Sequence, residues 1–350
     1  MTDTANLATA TATAAHARVD VDAGLDAALG RYRVELTGYC YRMLGSSFDA
    51  EDAVQDTYVR AWRGYAKFEG RSSLRSWLYR IATNVCMDLL SAGNKRARPV
   101  DFGAPQHQAC AVLNERPEVT WLEPVPDGRV LPQTADPAEA ALAKESVRLA
   151  FVAALQHLPP KQRAVLILRE VLAWKADEVA ALLETTTASV NSALQRARAT
   201  LGARPAREAE PADPLDAEQA KLLEQYVSAF EAYDISRLTT LLHEDAVLSM
   251  PPFDLWLQGH ADIAAWHLNQ GIGCKGSRLV PTNANGLPAF GQYRPRQDGS
   301  PGHVPWALQV LEITDGRITG LNAFLDTARW FPLFGLPEEL PPSHGAERGA

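Results

Sequence analysis

Cysteine is scarce: the 350 residues hold only Cys40, Cys86, Cys110 and Cys274, widely separated and at no paired metal-ligand spacing. That argues against a disulfide framework or a cysteine metal centre, and reduced thiols in a cytoplasmic protein fit best. Long apolar runs are missing too. Nothing approaches the about 18 residues needed to cross a bilayer, so no membrane partner is expected. Basic charge is not in surplus, with 34 Lys and Arg against 42 Asp and Glu and a net charge of -8. Any nucleic-acid surface must therefore be local. The first twenty residues, rich in Ala and Thr, lack the basic start and apolar segment of a leader, and residues 1–22 read as a disordered tail.

What is present begins with residues 49–98. Two amphipathic helices are expected there, with exposed faces of opposite charge. In the first, Val54, Tyr58, Ala61 and Trp62 recur at helical spacing as a buried stripe, while Asp49, Asp52 and Asp56 share another face. In the second, Ser72 is placed to cap the start, and Leu74, Trp77, Leu78, Ile81, Val85 and Leu89 follow three and four apart. Arg75, Arg80 and Asn84 lie on or beside its polar face, with Lys95, Arg96 and Arg98 beyond its end. From Arg60 to Arg98 nine basic residues stand against Glu69 and Asp88, a local net of +7, enough for a phosphate-facing surface or for an ordinary solvated helical pair. With an earlier helix from Leu25 to Leu44, ended by Gly45, these segments make an all-helical unit over 23–98.

Residues 99–137 form a proline-rich, acidic linker, too polar to pack by itself, so it is either disordered or follows a groove on something else. Trp121 and Leu122 among its prolines read as an anchor pair. Helices resume from Ala140 to His157 and from Pro160 through Leu168, with Pro160 in a first turn. Ala176 to Leu183, a turn at Glu184 to Thr186 and Thr187 to Leu201 then have the spacing of a helix-turn-helix, whose second helix enters the major groove. Thr187, Ser189, Asn191, Ser192 and Gln195 supply donors and acceptors for base edges; Arg196 and Arg198 suit phosphates. This gives a second helical unit over 138–202.

A linker over 203–216 leads to a unit of different character over 217–335, followed by a tail over 336–350. Helical runs come first, then strand-like runs at Ala246 to Met250, Leu279 to Asn283, Ala289 to Tyr293, Trp306 to Ile313 and Arg317 to Phe324. Asp315 and Gly316 join the last two as a two-residue hairpin. Helices then strands, without βαβ alternation, predict an α+β domain with a mainly antiparallel sheet. Phe253, Trp256, His260, Trp266 and Trp306 are candidates to line a cavity in it, and Asp254, Asp262 and His267 could add polar groups, though at no fixed catalytic spacing.

The phrases DAEDAVQDTYVRAWR (from Asp49) and LPPKQRAVLILREV (from Leu158), in that order, resemble bacterial extracytoplasmic-function sigma factors over roughly residues 23–201. Residues 217–331 look like a SnoaL-like (NTF2-like) domain, a cone of curled sheet and helices, and TWLEPVPDG (from Thr120) looks like the linker of the sigma-factor subgroup that carries one. The resemblance implies a multidomain protein: two all-α sigma-factor domains, the second a helix-turn-helix, followed by the α+β cone. It implies a factor that binds core RNA polymerase and directs promoter recognition and melting, with no enzyme activity, cofactor or metal. Asp49, Asp52, Gln55 and Asp56 would dock on the clamp coiled coil of the largest polymerase subunit. Arg75, Trp77, Arg80, Asn84, Lys95 and Arg96 would serve the minus-ten region, although Trp77, on the apolar stripe, also reads as core. Thr187 to Arg198 would read the minus-thirty-five element, the acidic linker would thread toward the polymerase active centre, and the C-terminal domain would contact the sigma domains in cis. The alternative is an enzyme or ligand sensor of the NTF2-like fold fused to a DNA-binding region.

Overall fold

A computed structural model describes residues 26, 29–70, 72–92, 96–134, 136–202 and 217–342. Lys95, the N-terminal tail, the linker over 203–216 and the end of the C-terminal tail lie outside them.

Helix α1 covers residues 29–44 and is followed by α2 (Ser47–Gly64) and α3 (Leu74–Ala92). Gly45 ends α1 at φ +71°, and Ser46 caps α2 by accepting from the Asp49 amide at 3.0 Å. The α3 cap is one residue later than expected: the Ser73 hydroxyl accepts from the Ser76 amide at 3.1 Å. Tyr39, Tyr79, Leu78 and Val85 fill the core between the helices. Two expected stripe positions are at the surface instead, Trp62 at 42% exposure and Leu89 at 44%. Each lies at the margin of its stripe, where helical drift turns it outward, and the Trp62 indole donates to Asp26.

The linker follows a groove in the chain itself. It runs through short 3₁₀ turns and the single turn α4 (Asp127–Val130), burying Trp121, Leu122, Val125 and Val130. Gly45 is required here: a Cβ on it would lie 2.6 Å from Leu122.

The second helical unit holds α5 (Pro137–Glu145), α6 (Leu149–Gln156), α7 (Pro160–Leu166), α8 (Ala176–Leu182) and α9 (Thr187–Gly202). The single helix expected from Ala140 to His157 is thus two. Arg148 adopts extended backbone, Arg42 of α1 binds the Ser146 hydroxyl and carbonyl, and the Val147 carbonyl accepts from Asn285, so neighbouring elements take the groups a continuous helix would use. Val179, Val190 and Leu194 pack α8 against α9.

The C-terminal domain comprises α10 (Ala217–Glu231), α11 (Ile235–Thr240), β1 (Leu242–Ser249), β2 (Trp256–Gln258), α12 (His260–Leu268), β3 (Arg278–Ala284), β4 (Leu287–Pro295), β5 (His303–Thr314), β6 (Arg317–Phe324) and α13 (Thr327–Leu333). The strand order is β2-β1-β6-β5-β4-β3; β1 runs parallel to β6 and every other pairing is antiparallel. Alternation along the strands gives the sheet two apolar faces. Phe290, Leu311 and Leu321 point to a core shared with α10, α11 and α12. Ala289, Tyr293, Leu308 and Val310 point to the other face, which joins α13, the linker and both helical units in one continuous core.

Candidate functional site

On α2, Asp52 and Gln55 are exposed. Asp56 pairs with Arg60 at 2.9 Å, one turn on, and Asp49 with Arg96 at 2.7 Å. Trp77 is half-buried, its ring 4.9 Å from Phe68 and 6.4 Å from Tyr65, a small aromatic cluster open on one side. Asn84 is exposed.

Two arginines expected on the basic face turn inward. Arg75 donates to Glu35 of α1 at 2.7 Å and lies 5.0 Å over the Trp174 ring, because the segment before α8 packs on α3. Arg96 is only 8% exposed, held by Asp49 and, at 3.3 Å, by Glu123. Arg80 reaches across to Glu184, in the turn of the helix-turn-helix, at 3.6 Å. On α9, Thr187, Asn191, Gln195 and Arg196 are exposed and Ser189 and Ser192 half-buried; Arg196 donates to Ser192 at 2.7 Å and Arg198 to Glu170 at 2.6 Å.

Several residues that matter most were not singled out from the sequence. Glu123, 1% exposed, accepts from Ser46 Oγ at 2.6 Å and the Ser47 amide at 3.1 Å, and pairs with Arg96 and, from α13, Arg329 at 3.2 Å. Asn285, fully buried in the turn between β3 and β4, donates to Tyr41 of α1 at 2.6 Å and to the Val147 carbonyl at 2.8 Å, and its Oδ1 accepts from the Val125 amide at 3.1 Å. One side chain therefore touches both helical units and the linker. The dipeptide Asn285-Gly286 was the available signal, since it favours a type I′ hairpin; both residues have positive φ. Arg42 and Arg163 are buried between the helical units, Arg163 donating to the Met43 carbonyl and to Gln156. Burial pushes both guanidinium groups down to about 10, so they remain charged at neutral pH.

Between the sheet and α12 is a cavity of about 670 Å³. Phe253, Trp266 and Trp306 line it, as does His267. Trp256 and His260 do not: the Trp256 indole donates to the Gly103 carbonyl at 3.2 Å, and His260 Nε2 lies 3.0 Å from the His243 carbonyl. Asp254 and Asp262 are turned to the linker, where Arg116 and the Gln108 amide bind them. Burial holds the His267 pKa below its usual 6.5. The folded state therefore favours neutral His267, and this contribution is present above the unfolded pKa and is lost as pH falls below about 6.5. Unfolding free energy measured by urea titration should decline there by up to about 1.4 kcal/mol per pH unit, and His267→Gln should flatten that slope.

Family comparisons agree with this layout. A Sigma-70 region 2 model matches residues 29–96, a Sigma-70 region 4 model residues 148–201 and a SnoaL-like domain model residues 223–321. The ECF RNA polymerase sigma factor SigG of Mycobacterium tuberculosis is 48% identical over 312 residues, covering 88% of this chain and 83% of that protein. The chain belongs to the ECF RNA polymerase sigma factors. SigJ of the same organism, another ECF sigma factor, is 30% identical over 83% of this chain and 88% of its own length. The crystal structure of SigJ superposes with a TM-score of 0.55 over 89% of this chain and 98% of that one, at 21% identity, and shares the fold. As an ECF sigma factor the chain directs transcription initiation at promoters, a binding role, and it carries a SnoaL-like domain at its C-terminal end. Among the described residues no helix of this sigma factor is long and apolar enough to cross a membrane.

Proposed function

We propose that this sigma factor folds on itself into a closed form, clasped by its C-terminal domain, and opens when it joins core polymerase in the cytoplasm. The observation that carries this is Asn285, whose hairpin inserts among α1, the linker and the α5–α6 junction. In the open form Asp49, Asp52, Gln55 and Asp56 dock on the clamp coiled coil. Trp77, Arg80 and Asn84 meet the melted minus-ten strand, with Arg75, Arg96 and Lys95 joining them once the closed contacts part. An aromatic platform ringed by cations suits an unstacked base. Thr187 to Arg198 read the minus-thirty-five duplex, and the acidic linker, freed, threads toward the polymerase active centre. The working units are those expected from the sequence, 23–98, 138–202 and 217–335.

Distance supports an opening step. The two promoter elements are about 25 base pairs apart by their names, or roughly 85 Å along B-form DNA at about 3.4 Å per pair. Arg80 and Glu184, one from each reading unit, are in contact, so one closed molecule does not span both elements. Spin labels at positions 80 and 184, with Cys110 and Cys274 replaced by serine, should report a short distance in the free chain and one of several tens of ångströms in holoenzyme bound to a promoter. An equal distance in the two states would refute the opening.

A further inference from the structure

We infer that the cavity of the C-terminal domain binds a small apolar anion, of planar aromatic or alicyclic type with one acidic group, and that its occupancy fastens the linker down. The inference rests on the closed form proposed above and gives that form a ligand.

The walls dictate the class. Phe230, Met250, Phe253, Trp266 and Leu321 make most of the cavity apolar, and its size falls in the range of pockets for drug-sized molecules, about 300–1,000 Å³. Arg294 is the one formally charged side chain among the described lining residues; no Asp, Glu or Lys is among them. Its guanidinium sits 3.4 Å from the Trp306 ring centroid, and stacking of this kind leaves the edge of its planar fork available to an acid. Buried His267 contributes no competing charge, since its protonation is disfavoured. Gln292 and Gln309, joined at 2.9 Å on the sheet face, are already anchored by Ser277 and Tyr226, so they present fixed amide dipoles. An uncharged molecule would bring no counter-charge to Arg294, whose neighbour in the wall is the neutral Cys274 thiol, and a cation would meet it as a like charge.

The lid is the linker. Ala111, Val112 and Leu113 line the cavity, with Val112 56% and Leu113 48% exposed, so they stand at its margin. Backbone hydrogen bonds pin this stretch to the C-terminal domain on both sides: the Gln106 amide to Trp256 at 2.9 Å, the Asp254 amide to Asn114 at 3.0 Å and the Arg116 amide to Pro252 at 3.0 Å. A molecule filling the cavity touches sheet and linker together. It binds the closed form better than the open one and so favours closure by mass action.

The test uses the full chain and the dye 1-anilinonaphthalene-8-sulfonate, an aromatic anion. Energy transfer from Trp266 and Trp306 should saturate at one dye per chain. Arg294→Met should weaken binding about tenfold or more, as expected for loss of a charged hydrogen bond, yet leave binding of the uncharged N-phenyl-1-naphthylamine within twofold. Ala323→Phe, which fills the cavity, should abolish both. At ten times its Kd the sulfonate should slow hydrogen exchange of the Gln106, Val112 and Arg116 amides about tenfold. Binding that ignores both substitutions overturns the site, and binding without linker protection overturns the coupling. The spin-label distance is measured separately: a long distance in the free chain removes the closed form, while saturable, Arg294-dependent binding would still establish the site.

Discussion

Glu123→Ala should destabilise the protein by about 3–5 kcal/mol, the usual cost of breaking a buried ion pair by removing one partner. The side chain is 1% exposed and serves five groups at once: Arg96, Arg329, the Ser46 hydroxyl, and the Ser47 amide and hydroxyl. Removing it leaves the start of α2 with an unanswered amide and Arg96 buried on Asp49 and the Trp121 and Glu118 carbonyls. Those remaining contacts place the effect near the low end of the range. Glu123→Gln keeps an acceptor for Ser46 and Ser47 while deleting the charge, so it should cost less. Urea unfolding of both variants measures the difference, and a change under about 1 kcal/mol for alanine would show that Glu123 is not the junction's central acceptor. A double-mutant cycle with Arg329→Met should give a coupling of about 1 kcal/mol or more, tying α13 to the linker through this carboxylate.

The helices and strands were legible because each carries its own period. Val54, Ala61, Leu78 and Val85 declared the buried sides of α2 and α3, and Asp315-Gly316 declared a hairpin that is there, at positive φ in both residues. What was not legible is where polar side chains go, because their partners are remote in sequence. Glu123 finds Arg329 from 206 residues away and Asn285 finds Tyr41 from 244, and no local pattern encodes such pairs. The inward pairing of Arg75 and Arg96 in this closed form was not legible for the same reason. Helical spacing put Arg75 beside the apolar stripe, and Arg96 lies beyond the helix end, but a long side chain pairs with a carboxylate in reach: Glu35 for Arg75, and Asp49 and Glu123 for Arg96. Trp256 and His260 were assigned to the cavity by residue type alone, whereas pairing of β2 with β1 and the docked linker turn them away from it.

The second large effect is expected at the hairpin, and it acts on the closing equilibrium rather than on the fold. Asn285→Ala deletes three hydrogen bonds to buried partners and puts alanine at φ +57°, a left-handed conformation that costs a Cβ residue about 1–2 kcal/mol. Asn285→Gly removes the same bonds without the strain, so the pair of variants separates docking from turn geometry. Gly286→Ala attacks the same contact sterically: its Cβ would lie 2.8 Å from the Lys144 carbonyl oxygen and 3.0 Å from the Lys144 Cα, backbone atoms of α5 that cannot rotate away. In each case the C-terminal domain keeps its own core against α10 and α12, while the clasp on the helical units weakens. If closure withholds the polymerase-binding state, apparent affinity is scaled by the fraction open, and loss of about 3 kcal/mol of clasp should raise affinity for core polymerase by up to about 100-fold. Titration of labelled core polymerase, with run-off transcription at matched holoenzyme concentration, measures this. Variants that bind polymerase no better than the parent chain, although their hairpins have come loose by hydrogen exchange, would mean that the clasp does not govern access to polymerase.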